Sequence, residues 1–478
     1  MVSRMGTDSS KAVKAGIGYT IGNYLIKGLT FLTIPIFSRL LSTAEYGEYN
    51  SFVAYETILF VLIGVVLHGS YKNAKYEFKE AYNSYVSTTL LFIVANTAFF
   101  LVIANVFSAP LQSILGLDQW SINLLVLYSF STAIINCYTS YLSLEYQYRN
   151  FILVSFINAV STIGVSILLM LSVFDENRYM GRVIGTVVPV LLISLFLIVS
   201  FWKKSRPRDC VKHLKWGLNY SLPLVPHGLS QVVLTQFDRI MIRKLVGAAE
   251  TGIYSFAYNI FAIVNITTNS LGTVWEPWFF EKMHNNEREN IKKVSSLYAL
   301  GMLVFSAMVI LAAPEIIMIL GTSEYYMSVY CVVPIVAGGY FAFLYNIPAC
   351  VEYFYGKTKF IALGTMSAAA INIVLNYVFI TQFGYIAAAY TTLISYIAYF
   401  VFHYIVAWKI EGKCLFDTRV IVFCGICMVA INFFGIAMIP YWFIRWGAVI
   451  LLGVIAIIVE EKHMGLIKKV LKGDKYVK

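Results

Sequence analysis

The sequence predicts an all-α polytopic membrane protein of about 14 transmembrane helices, arranged as two parallel six-helix bundles plus two C-terminal helices. Three observations predict it. Of 478 residues, 59% are hydrophobic and 13% charged, against about 25% charged in a soluble domain, and the mean hydropathy is +0.73. Apolar stretches long enough to cross a hydrocarbon core of about 30 Å recur along the whole chain. And one phrase is written twice: at a fixed offset, Leu40, Ala44, Glu45, Gly47 and Tyr49 match Leu245, Ala249, Glu250, Gly252 and Tyr254.

The helices are read at 17–36, 47–70, 84–107, 121–144, 151–174, 181–202, 216–237, 251–275, 294–313, 328–350, 360–380, 384–408, 419–438 and 441–459. With the N-terminus inside, 28 Lys and Arg fall in inside segments, 7 in outside loops, and Lys27 within span 1. That asymmetry puts both termini in the cytoplasm. It also explains the net charge of +11 without nucleic acid, since the basic stretches 203–215 and 462–478 lie against an anionic inner leaflet. The polar start, MVSRMGTDSSKAVKAG, is read as a retained cytoplasmic lead-in rather than a signal peptide. Every outside loop is short, which argues against an external catalytic domain. The seven Cys lack a paired framework, and Cys424 and Cys427 form a CxxC inside an apolar run without His or acid nearby, so no metal or redox chemistry is assigned to them.

Both copies of the repeated phrase fall in the outside loop after an odd span, so the repeat unit is six helices and the halves run in the same direction, with a substrate site expected between them. The domains are therefore residues 1–202, a basic linker 203–215, residues 216–408, and an appendix with two helices and a basic tail, 409–478.

The stretches GLTFLTIPIFSRLLSTAEYGEYNSF (28–52) and FDRIMIRKLVGAAETGIYSFAYNI (237–260), with YFYGKTKF (353–360) in an inside loop, resemble the Wzx-type repeat-unit flippases of bacterial polysaccharide synthesis. These belong to the multidrug/oligosaccharidyl-lipid/polysaccharide exporter superfamily. The resemblance covers essentially the whole chain. It implies a non-enzymatic transporter in the bacterial cytoplasmic membrane that moves an oligosaccharide on polyprenyl pyrophosphate to the outer leaflet by alternating access, for O-antigen or capsule assembly. It also implies polymerase or assembly proteins as partners, no cofactor, and coupling to a proton or sodium gradient as an open question.

The residues give the candidate path. In span 1, Thr20, Asn23, Lys27 and Thr30 are spaced to share one helical face. Lys27 would meet a pyrophosphate or acidic sugar, or else snorkel or pair internally, because a charge in mid-bilayer costs about 2.5–3.5 kcal/mol on insertion scales. The equivalent span 7 shows His227, Gln231, Thr235 and Asp238 at similar spacing, which would equally suit interhelical hydrogen bonds. Pro223 and Pro226 suggest a bend. Arg39, Arg239, Arg243 and Lys244 cluster at the repeated helix ends, as a cationic funnel or as interface anchors with an ion pair from Asp238 to Arg239 or Arg243. Glu56 is the deepest carboxylate and the candidate for ion coupling, unless it pairs with Lys27. Glu276, Glu315 and Glu352 are read as ordinary carboxylates near span ends, and the Asn265/Asn269 and Asn372/Asn376 pairs as helix glue.

A drug or cation exporter and a peptidoglycan-precursor flippase of the same superfamily are the alternatives, and a membrane-embedded polymerase or acyltransferase, with His403 as a lone base, is a more distant one. The repeated carboxylates have a simpler use. Ser42 and Glu45 have the form of a capping box, with Gly247 and Glu250 as its second copy. Gly47 and Gly252 would admit a close helix approach, and Tyr49 and Tyr254 are expected at the outer interface.

Overall fold

A chain in hydrocarbon must satisfy its backbone within each segment, and helices do so. The computed structural model describes residues 31–455 together with Gly18, Gly22, Gly28, Leu29 and Ile457. All regular structure among them is helical. Most of span 1, including Asn23 and Lys27, and the basic tail lie outside the described residues. By packing, the chain divides at Gly252 into two units, Met1–Gly252 and Ile253–Lys478.

The first unit holds α1 (Ile34–Leu40), α2 (Thr43–Gly64), α3 (Tyr71–Phe78), α4 (Tyr82–Val106), α5 (Ser108–Leu115), α6 (Gln119–Leu144), α7 (Tyr148–Ser172), α8 (Arg178–Lys204), α9 (Cys210–Ser221) and α10 (Val225–Leu245). Helix α11 (Ala248–His284) carries the chain into the second unit. There follow α12 (Arg288–Leu320), α13 (Val329–Leu344), α14 (Asn346–Phe354), α15 (Thr358–Phe383), α16 (Ile386–Glu411) and α17 (Thr418–Ala437), then the shorter apolar α18 (Trp442–Ile455).

Nine helical stretches among the described residues are long and apolar enough to span a membrane, and they coincide with predicted spans 3–6 and 9–13. Spans 2, 7 and 8 fold as α2, α10 and α11 but are more polar, because each carries several charged or amide side chains along its length. Span 7 needs correction. The break expected at its two prolines ends α9 in a single tight turn, Leu222–Leu224, and the helix restarts as α10 with Pro226 in its first turn, where a missing N–H costs no hydrogen bond. Helix α10 then runs on to Leu245, so Asp238, Arg239, Arg243 and Lys244 sit inside its last turns rather than in a loop.

The basic linker is more ordered than its composition suggests. From Cys210 it is helical, and its sides divide: Lys212 and Lys215 are exposed while His213 is buried, its ring edge-on to Phe78 and Tyr85. Gly217 lets the Tyr85 hydroxyl approach its backbone, which seats α9 on α4.

The repeated phrase forms a contact with itself. A Cβ on Gly47 would collide with the carbonyl oxygen of Ala248, and one on Gly252 with that of Thr43. The two helix starts therefore cross backbone to backbone, the small-residue packing by which helices associate in lipid. Ser42 caps α2: its hydroxyl accepts from the Glu45 amide (3.3 Å) and Glu45 Oε2 accepts from the Ser42 amide (3.0 Å), completing the expected box. At the second copy, Thr251 donates to the Gly247 carbonyl (2.7 Å) and the Glu250 carboxylate folds back over Gly247. The tyrosines depart from expectation: Tyr49 turns inward to Thr186 (3.2 Å) and Tyr254 is fully buried.

In the second unit, the C-terminal helices are held by charge. Arg445 of α18 donates two bonds of 2.6 Å to the Glu315 carboxylate and one to the Leu311 carbonyl (2.6 Å), and is 3% exposed. Three turns share one design: Tyr146, Asn286 and Gly356 adopt the left-handed conformation, and the next amide reaches back five residues to Leu142, Lys282 and Glu352 (2.8–2.9 Å), closing each helix. Gly356 thus explains the glycine of YFYGKTKF.

Two outcomes are expected. Gly47→Ala and Gly252→Ala should each cost about 1–3 kcal/mol through overpacking, lowering the thermal midpoint of the detergent-purified protein. Gly164→Ala, where a Cβ meets nothing within 4 Å, should leave the midpoint unchanged or raise it. Glu315→Ala should cost on the order of 3 kcal/mol by stranding Arg445, measured the same way; a midpoint equal to wild type would refute the tether.

Candidate functional site

The candidate path residues of α10 follow from its periodicity. Asp238 and Arg239 are buried (1% and 7% exposed), while His227, Gln231 and Thr235 are half-buried. Thr235 is satisfied locally by the Gln231 carbonyl (2.9 Å). His227 Nδ1 is buried without a hydrogen-bond partner among the described residues. Arg239 donates to the Thr235 carbonyl (3.0 Å) and to the Gln236 side chain.

The cations at the repeated helix ends divide into two kinds. Arg243 is built into the scaffold: its Nε donates to Glu48 Oε2 (2.7 Å) and its Nη2 to the Gly116 carbonyl (3.0 Å). Gly116 ends α5 in the left-handed conformation, and a Cβ there would meet the guanidinium. The carboxylate that Arg243 pairs with is thus Glu48 of α2. Arg39 and Lys244 are exposed, and Arg39 donates to the Pro35 carbonyl (2.8 Å).

Glu56 lies in α2 at 4% exposure. Its Oε1 has no partner among the described residues, and the Thr132 hydroxyl lies beside it. Lys27, the partner expected from the sequence, is outside the described residues.

Thr132, the neighbour of Glu56, is also in the wall of a partly open cavity of about 230 Å³ in the first unit, lined with it by Tyr49, Tyr128, Asn158, Thr162 and Arg182, among others. Counted among the outside-loop cations that precede span 6, Arg182 is not singled out by the sequence. The structure begins α8 at Arg178, which places Arg182 one turn inside. A signal existed: Arg178, Arg182 and Thr186 recur at every fourth position of an otherwise apolar helix. Gly181 and Gly185, on the adjoining side of α8, bring it close to α7 at Met170 and Ser166. The guanidinium lies over the Phe37 ring (3.4 Å to its centroid) and near that of Tyr49 (4.8 Å). Its Nη1 is buried and has no hydrogen-bond partner among the described residues, as is true of Asn158 Oδ1.

In the second unit, His403 is not lone: its Nδ1 lies 2.6 Å from Glu352 Oε1, with both side chains at 0% exposure. Tyr345, Tyr399 and Phe402 enclose the ring. The pair is thereby sealed from solvent. Asn376 donates to Asn372 (3.0 Å), Asn372 to Thr392 (3.3 Å), and Thr391 to Asn376, joining α15 to α16 as the glue reading expects. Asn269 donates to Asn265 (3.0 Å) within the single helix α11, a bond that joins no second helix. Glu411 forms an ion pair with Arg288 (2.7 Å) and accepts from the Tyr355 hydroxyl (2.8 Å). Among the described residues no cluster of His, Cys, Asp and Glu suits a metal, and Cys424 and Cys427 are free thiols.

The fold is shared with known transporters. It superposes on a lipid II flippase, MurJ, in an inward closed conformation, with a TM-score of 0.69 and 15% identity over 94% of this chain and 100% of that one. An inward-facing multidrug resistance transporter of the MATE family, in the MOP superfamily, matches with a TM-score of 0.59 and 13% identity over 81% of this chain and 96% of its own. In sequence, a protein of Haloferax volcanii named a probable low-salt glycan biosynthesis flippase, Agl15, is 22% identical over 401 residues, 82% of each chain. A Haemophilus influenzae protein named for the Lsg locus is 21% identical over 369 residues, 74% of this chain and 87% of its own. The model of one family, described as polysaccharide biosynthesis protein, matches residues 12–283. The chain is therefore a multi-pass membrane protein of the polysaccharide biosynthesis protein family, with the fold of the MOP superfamily transporters.

Proposed function

We propose that the protein is a flippase that carries polyprenyl-pyrophosphate-linked oligosaccharide repeat units from the inner to the outer leaflet of a bacterial cytoplasmic membrane, by alternating access of its two six-helix halves and for O-antigen or capsule assembly. The observation that carries this reading is the polar and cationic lining inside helices that must live in lipid: Arg182 at a cavity wall in α8 and the His227, Gln231, Asp238 stripe of α10. A charge within the membrane faces a cavity or a partner and marks a substrate route. The family match over 12–283 and the name of the Haloferax relative support a glycan as cargo. A guanidinium at the cavity wall suits an anionic cargo and repels a cationic drug, which favours the flippase over the multidrug exporter with the same fold.

In this reading Asn23, Lys27, Arg39, Lys244, His227 and Gln231 meet the headgroup, Glu56 couples transport to a proton or sodium gradient, and both termini are cytoplasmic. Arg243 serves the path indirectly, by fixing α10 to α2. A polymerase receives the cargo outside.

The test is a strain lacking the chain and supplied with each lipid-linked repeat unit, scored for outer-leaflet exposure. Wild type should restore exposure of one repeat unit. Lys27→Ala and Arg39→Ala should reduce it about tenfold at equal protein level, as loss of a charge-assisted contact implies. Arg243→Ala should instead lower protein stability by about 1 kcal/mol. Full transport by both Lys27→Ala and Arg39→Ala at normal expression would sink the cationic path. Glu56→Gln should still bind cargo yet stop responding to an imposed ion gradient. A reporter fused after Lys478 should be cytoplasmic.

A further inference from the structure

The cavity beside Arg182 has a hydrogen-bonding character that narrows its ligand. Consider first its donors. Arg182 is always charged, is held face-on to Phe37, makes no ion pair among the described residues, and has a buried Nη1 without a partner. A buried guanidinium left this way carries a desolvation cost that an incoming anionic oxygen would relieve.

The other walls mostly accept. The Thr186 hydroxyl donates to the Arg182 carbonyl (2.9 Å), so in the Tyr49 to Thr186 contact of 3.2 Å the tyrosine hydroxyl is the donor and its oxygen keeps lone pairs to accept with. The Thr162 hydroxyl donates to the Asn158 carbonyl (2.8 Å), leaving its oxygen as an acceptor. Asn158 Oδ1 is a buried acceptor with nothing to accept from among the described residues. The site therefore offers one cationic donor and several neutral acceptors, with the Tyr49 and Tyr128 rings beside them.

A phosphate brings acceptors to such a wall and has few hydrogens to give. A sugar acid brings both, a carboxylate for the guanidinium and hydroxyl hydrogens for Asn158, Thr162 and Tyr49, and its apolar ring face suits the tyrosines. The volume of about 230 Å³ has room for one pyranose and none for a polyprenyl chain. We infer that the first unit contains a subsite for a single acidic sugar, with its carboxylate on Arg182 and its hydroxyls on Asn158 Oδ1, Thr162 and Tyr49. This inference rests on the reading of the cargo as a glycan, and it makes that glycan an acidic one. Tyr128 lies within electrostatic reach of both Arg182 and Glu56, and it is the guanidinium that meets the sugar's carboxylate.

The test uses full-length protein in nanodiscs, with free glucuronate, glucose and inorganic phosphate as probes and saturation-transfer NMR as the readout. Glucuronate should bind at least about tenfold more tightly than glucose. Arg182→Gln should abolish that preference, and Arg182→Lys should keep part of it, because an ammonium retains the charge without the fork. Should Arg182→Gln fail to fold, Asn158→Leu provides the second arm: it should weaken glucuronate and leave the carboxylate preference over glucose in place. Equal binding of glucose and glucuronate, no binding of either, or binding of phosphate without glucuronate would each overturn the subsite. The outcome is separable from flipping. Glucuronate binding by a protein that exposes no lipid-linked glycan would overturn the flippase reading alone, and transport of a neutral repeat unit without glucuronate binding would overturn the subsite alone.

Discussion

The close crossing of two helix starts at Gly47 and Gly252 is the constraint from which this end of the first unit follows. Without side chains at those positions the backbones meet, and the amides at the start of α2 must then be satisfied in a crowded corner. Ser42 and Glu45 do this, and the second oxygen of Glu45 goes further, accepting from the Tyr179 amide (3.3 Å). The neighbouring Arg178 donates to the Leu40 carbonyl (2.9 Å). Thus the first turn of α8 is tied to the cap of α2, and Arg182, one turn on, inherits its place from that tie. Arg243 adds a third strap, from α10 to Glu48. A single pair of glycines in this way fixes where a cavity guanidinium stands.

Much of the fold was legible, and for a definite reason. Lipid-facing spans are long and apolar, so spans 3–6 and 9–13 are legible as elements, with ends that differ by up to seven residues where a helix runs past its apolar stretch, as Arg288–Leu320 does. The capping box was legible because its two residues contact each other at fixed spacing. What failed to show were features set by packing across the sequence. Tyr49 was placed at an interface because aromatic belts are common there, whereas the α2 to α8 contact draws it inward to Thr186. Arg243 looked like a funnel residue until Glu48, 195 positions away, was found against it. His403 looked isolated because Glu352 lies on another helix.

Arg182 is the sharper lesson. Counting cations by side of the membrane treats every Arg near a span end as a topological signal, and this discards the few that are drawn into the bundle. The fourfold spacing of Arg178, Arg182 and Thr186 was the available cue, and it points the opposite way from the count. Charge-side statistics and helical periodicity read the same letters for different purposes; only the second says which way a side chain faces.

The polarity of α2, α10 and α11 has a consequence for how the chain enters the membrane. A segment leaves the insertion channel for lipid according to its own apolarity, and each ionisable residue near its middle opposes that step. These three helices fall short of the apolar stretches around them, so their stable residence in the bilayer depends on neighbours already in place. The apolar α4, α6, α7 and α8 can partition first and α2 be gathered afterwards against α6 and α8. Synthesis order and burial order then differ.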